Sequence, residues 1–94
     1  MKTPESYEKK EICAYLDSIG AWYFKPTTMG FGKSGVADIV GCYRGRFFSV
    51  EVKREGKQPT KLQVKRIDEV ELAGGFACWG TAERAIQLIK QWIA

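Results

Sequence analysis

Two acids and an amine, Asp38, Glu51 and Lys53, stand close enough in this chain to share one site. They lie in GVADIVGCYRGRFFSVEVKR, residues 35–54. VADIV and FFSVEV are rich in β-branched and aromatic residues, and Arg44-Gly45-Arg46 between them is a turn signal, so the stretch predicts a hairpin. An Arg44-Gly45 loop sets Tyr43 opposite Arg46 and Asp38 opposite Glu51. A Gly45-Arg46 loop sets Asp38 opposite Lys53 instead. Either register places Asp38, Glu51 and Lys53 on one face, because strand side chains alternate with period two. Opposed Cβ atoms lie about 4.5–5.5 Å apart, and like charges there destabilise a sheet. Two carboxylates about 5 Å apart repel by roughly 3 kcal/mol at an effective dielectric of 20. A divalent cation between them reverses the sign, and acids beside a lysine suit Mg²⁺ or Mn²⁺ in phosphodiester hydrolysis. The competing reading is a cross-strand salt bridge, Asp38 with Lys53, on a solvated face.

This hairpin resembles the core of the PD-(D/E)xK nucleases, in which an Asp near one strand is followed by (Asp/Glu)-x-Lys on the next. Asp38 and Glu51-Val52-Lys53 are the matching residues. The wider order resembles the small stand-alone VRR-NUC branch and covers nearly the whole chain. It has a helical Glu, a Gly-rich approach to the Asp, then EVK and a Gln opening the next helix. Ala37 departs from that pattern, which usually has Pro there. Proline would shape the backbone without supplying chemistry. The resemblance implies a restriction endonuclease-like core and a Mg²⁺-dependent DNA endonuclease, with Mn²⁺ able to substitute. It implies Asp38, Glu51 and the Val52 carbonyl as metal ligands, with Glu8 joining directly or through a water. Lys53 would orient the attacking water or offset charge on the phosphate, and Gln63 would position water or substrate. A small chain has little surface for reading many bases. Structure-selective cleavage of branched or four-way DNA, as in Holliday junction resolvases, is therefore expected over restriction-type sequence readout, and paired nicks call for a homodimer. A nucleic-acid-binding module without turnover, or an interaction domain with a salt-bridged hairpin, are the readings from other classes.

The elements that must position these residues follow from patterning. Thr3-Pro4-Glu5 predicts a helix start with a hydroxyl cap, and Ile12, Tyr15, Leu16 and Ile19 repeat at helical spacing up to Gly20. Glu8 lies one turn before Ile12 on the same face, which aims it toward the sheet. Glu5 falls near that face and Glu11 at its edge, and EKKE is also rich in solvated i,i+3 and i,i+4 partners. Ala21 to Phe24 reads as a short strand. The loop TTMGFGKSG contains G-x-G-x-x-G at Gly30, Gly32 and Gly35, but a strand follows it where a dinucleotide site needs a helix. Thr27 stands where a P-loop needs its first glycine, so no nucleotide cofactor is expected. The loop instead offers Lys25, Lys33 and Ser34 to nucleic-acid phosphates, or is a plain linker.

Thr60 to Gln63 fits a capping box. Yet Gln63 also sits mid-arc among Leu62, Ile67, Val70 and Ala73, so an inward amide facing the site is equally open. Arg54, Lys57 and Lys61 flank this helix as candidate backbone contacts. Gly74-Gly75 closes it, Phe76 to Trp79 reads as a fourth strand, and Thr81 to Ala94 is amphipathic with Ala82, Ala85, Ile86, Ile89, Trp92 and Ile93 on one face.

The order α-β-β-β-α-β-α predicts one α/β domain over residues 1–94, a mixed sheet flanked by helices. A net charge of +4 and a pI near 9.1 fit a polyanionic partner. Three widely spaced cysteines suggest reduced, buried thiols, with neither a disulfide framework nor a zinc site. The absence of histidine excludes Ser-His and Cys-His nucleophilic catalysis. No apolar run reads as a signal peptide or a membrane span, so a cytoplasmic location in a bacterial or phage-infected cell is expected.

Overall fold

The computed structural model describes residues 3–27 and 32–94. Gly30 of the glycine pattern lies outside them. The elements are α1 (Glu5–Ser18), β1 (Trp22–Phe24), β2 (Ile39–Tyr43), β3 (Arg46–Val52), α2 (Lys61–Leu72), β4 (Phe76–Gly80) and α3 (Ala82–Ile93), in the expected order. The four strands form one mixed sheet, β1-β2-β3-β4, antiparallel except for the β3–β4 pair joined through α2.

The hairpin takes the first of its two registers, with Tyr43 paired to Arg46 and Ile39 to Val50. Arg44 and Gly45 have φ of 49° and 81°. Two successive residues with positive φ make the tight turn whose twist matches the strands it joins, and glycine reaches that conformation freely. The second strand is shorter than VADIV predicts. Val36 and Ala37 leave the ladder and line a cleft beneath α2, and Asp38 stands just before the first paired residue. There its carboxylate oxygen accepts the Val52 amide at 2.8 Å, which ends main-chain pairing.

Alternation assigns the two faces. Ile39, Phe48, Val50, Val52 and Cys78 point into the core with Ile12 and Leu16 of α1 and Ala82, Ala85 and Ile89 of α3. Trp92 belongs to this side, stacked on Phe76 with ring centroids 4.7 Å apart. The other face carries Val40, Phe47, Ser49 and Glu51 toward Ile67 and Val70 of α2. Because α2 packs over β3 and β4 only, Trp22 and Phe24 on β1 stay more than half and half exposed.

Two local expectations are corrected. The cap of α1 is Pro4, without any side-chain hydrogen bond, so Thr3 is not the hydroxyl cap. The Pro4 carbonyl instead takes the Tyr7 and Glu8 amides. Cys13 and Cys78 are buried free thiols as expected, but Cys42 is exposed, because its position in β2 faces away from the core beside Trp22. Among the described residues no helix is long and apolar enough to cross a membrane.

Candidate active site

Asp38 and Glu51 meet at the end of the β2–β3 ladder. Extending the register one step beyond Ile39–Val50 sets them opposite each other. Asp38 Oδ2 is fixed by the Val52 amide, and its side chain remains 29% exposed. Glu51 is nearly enclosed, 4% exposed, and its Oε2 accepts from Gln63 Nε2 at 3.1 Å. Lys53, two residues along the same face, brings Nζ to 3.6 Å from that oxygen. Burial first, then hydrogen bonding and charge from the neighbouring Asp38, together push the Glu51 carboxyl up to about 8 against the smaller opposing pull of Lys53. The arrangement therefore confines two acids where one ionised carboxylate is already costly.

Gln63 caps its own helix and also turns its side-chain amide to Glu51. Its Oε1 accepts the Thr60 amide at 2.8 Å while Thr60 Oγ1 accepts the Gln63 amide, completing the capping box. Since a main-chain N–H can only donate, the side-chain carbonyl must face Thr60, and the NH₂ group is left to face Glu51.

Glu8 is placed elsewhere. Its Oε1 accepts the Ala82 amide at 2.8 Å, in the first turn of α3. Such an amide lacks a helical acceptor and sits at the positive end of the helix dipole, so a carboxylate suits it. The apolar face of α1 does turn Glu8 inward, but toward the core side of the sheet, opposite the side carrying Glu51. Among the described residues no group of three or more His, Cys, Asp or Glu side chains is arranged to hold a metal. The residue of α1 that does reach the pair is Lys9, with Nζ 3.8 Å from Asp38 Oδ1. By spacing it is one of the solvated EKKE charges; only the packing of α1 against the sheet sets it apart.

Lys25, Lys33, Ser34, Arg54, Lys57 and Lys61 are all exposed. They do not line one common cleft. Lys33 lines the cleft of about 400 Å³ between α2 and the sheet, which Glu51 of β3 and Gln63 of α2 also line. The Ser34 carbonyl accepts from Arg66 Nε at 2.8 Å, which ties the loop to α2. Arg54 and Lys57 border a separate hollow beside Lys53.

A solved structure described as a VRR_NUC domain superposes on the chain with a TM-score of 0.76, covering 92% of this chain and 94% of that one. This chain has the VRR_NUC fold. Sequence identity between the two is 24%. No family model and no curated protein matches the chain. In a VRR_NUC fold of this element order, the hairpin carries Asp38 and the Glu51-Val52-Lys53 run to adjacent strand ends, where α2 closes over them through Gln63.

Proposed function

We propose that this chain is a metal-dependent DNA endonuclease that selects branched or four-way DNA by shape. The observation that carries the reading is the opposed Asp38–Glu51 pair, Glu51 enclosed and Asp38 open to solvent, with Lys53 at 3.6 Å from Glu51. Two opposed carboxylates, one of them desolvated, form a site whose charge a divalent cation relieves. The Val52 carbonyl shares the strand edge of its own amide, the edge facing Asp38, as in any extended strand. Two carboxylates and a main-chain carbonyl are hard oxygen donors of the kind Mg²⁺ and Mn²⁺ take, so the residues fit the ion.

When bound, the cation supplies Lewis-acid stabilisation of charge on the phosphodiester. Asp38, Glu51 and the Val52 carbonyl would hold it, and Lys9 would leave Asp38 as it enters. Lys53 would orient the attacking water or offset charge building on the phosphate. Gln63 would keep Glu51 aimed at the strand end. Glu8, committed to Ala82, would serve the site by holding α1 against α3.

Paired nicks in a four-way junction require two such sites, and a two-fold homodimer supplies them at fixed separation. Trp92 is committed to the core, which leaves the exposed Trp22 and Phe24 of edge strand β1 as the candidate surface. The deciding assay incubates pure protein with duplex, flap and four-way DNA, with and without Mg²⁺. Mg²⁺-dependent cutting favouring the four-way substrate is expected. Binding without cutting would identify a non-catalytic module, and neither would remove nucleic acid from the reading.

A further inference from the structure

We propose that Arg84, laid across Trp79 beside the Asp38–Glu51 pair, is the anchor of a phosphate-binding subsite that sets the register of DNA on the site. This rests on the nuclease reading above and adds to it a residue from α3 that no motif marks.

Trp79 is the direct partner of Glu51 in the parallel β3–β4 ladder. Adjacent strands lie about 4.8 Å apart, so the indole is the immediate neighbour of the candidate metal ligand. The Arg84 guanidinium sits 4.5 Å from the centre of the Trp79 ring, and its Nε donates to the Trp79 carbonyl at 2.9 Å. Guanidinium groups stack on indole faces, and a hydrogen bond from Nε holds the plane in place while the terminal nitrogens remain available. Among the described residues Arg84 has no salt-bridge partner.

The backbone makes room for this placement. A Cβ at Gly80 would run into the Arg84 side chain, and Gly80 has a φ of +144° that side chains rarely adopt. The Gly80 carbonyl also accepts the Lys53 amide at 2.9 Å, which joins the Arg84 segment directly to the Glu-x-Lys strand.

Around this anchor lies a hollow of about 250 Å³ bordered by Lys53, Arg54, Lys57 and Arg84, with Glu55 as its single acid. The next hollow along the surface carries Glu8, Glu11, Glu55 and Glu83. A phosphodiester chain leaving the Asp38–Glu51 pair is thus attracted to the Arg84 side and repelled from the other. The Lys53 ammonium is turned to Glu51, so the phosphate falls to Arg84, with Arg54 and Lys57 at its rim. Planar, pre-oriented arginine suits a phosphate oxygen pair.

The test compares Arg84→Gln with Lys90→Gln, which removes the same charge from the other end of α3, beside Tyr15. Binding of a fluorescent four-way DNA is followed by anisotropy without divalent metal over a range of salt. Arg84→Gln should weaken binding about tenfold and lower the slope of log affinity against log salt by about one, the loss of one phosphate contact. Steady-state cleavage in Mg²⁺ should show KM raised more than kcat is lowered, with Arg84→Lys recovering part of the loss. Lys90→Gln should leave the slope unchanged. If wild type binds and Arg84→Gln behaves as Lys90→Gln does, the subsite is overturned and the nuclease reading stands. If wild type does not bind DNA at all, both fall.

Discussion

Gln63 donates its side-chain amide to Glu51 at 3.1 Å while the same side chain caps its own helix through Thr60. The start of α2 and the orientation of the buried acid are therefore one structural unit. Gln63→Glu separates the two roles, because a carboxylate still accepts the Thr60 amide but presents negative charge to Glu51. We expect α2 to stay capped, cleavage to fall at least about tenfold, and stability to drop as pH rises, since a like charge disfavours ionised Glu51. Gln63→Ala should cost about 1 kcal/mol at all pH values through the lost cap. Thermal melts at pH 6 and 8.5 beside a nuclease assay check this. Wild-type cleavage by Gln63→Glu would reduce Gln63 to a cap alone.

Glu51→Gln and Asp38→Asn should abolish cleavage without unfolding the protein. Each amide keeps an acceptor oxygen for the bonds from Gln63 and Val52, and relieving the opposed acids offsets about 1 kcal/mol after solvent screening. Metal-free melts should show neither variant less stable than wild type at neutral pH. Full activity in either would refute the site.

Stability without metal should fall as pH rises from about 4.5 to about 8. Across that window the folded protein keeps the Glu51 proton that the unfolded chain has released, so the folded state binds more protons and loses stability with pH. The loss should reach at most roughly 5 kcal/mol and be complete above the folded value. Glu51→Gln should flatten this slope, and added Mg²⁺ should raise the melting temperature more at pH 8.5 than at pH 5.5. A wild-type slope retained in Glu51→Gln would show another group to be responsible.

Lys53→Ala should lose turnover by about 10²–10⁴-fold, the usual range for a positioned acid–base group, while DNA binding persists. Its ammonium faces Glu51, so the salt dependence of binding should scarcely change. Gel shifts and cleavage measured on the same preparations decide the matter. Proportional loss of both would make Lys53 a phosphate contact.

Analytical ultracentrifugation at micromolar concentration should find a dimer, and Trp22→Ser should shift it toward monomer while preserving the fold, because Trp22 is 67% exposed. A wild-type monomer that cuts flaps with no preference for four-way DNA would remove junction resolution from the proposal.

The element order, the hairpin and the pairing of Asp38 with the Glu51-Val52-Lys53 run are legible in the residues alone. Those properties are local: strand alternation has period two, and Arg44-Gly45 permits only a short list of turns, one of which sets Asp38 at the level of Glu51. The capping box at Thr60–Gln63 was legible for the same reason. Which face of the sheet each helix covers was not. Amphipathicity states that the Glu8 side of α1 turns inward, but two faces are available, and packing against α3 placed Glu8 on Ala82 and brought Lys9 to Asp38. Tertiary structure alone also decided that Gln63 serves cap and site together, and that Arg84 lies over Trp79. Each depends on how one element is laid against another and how far a side chain then reaches, which spacing along the sequence does not encode.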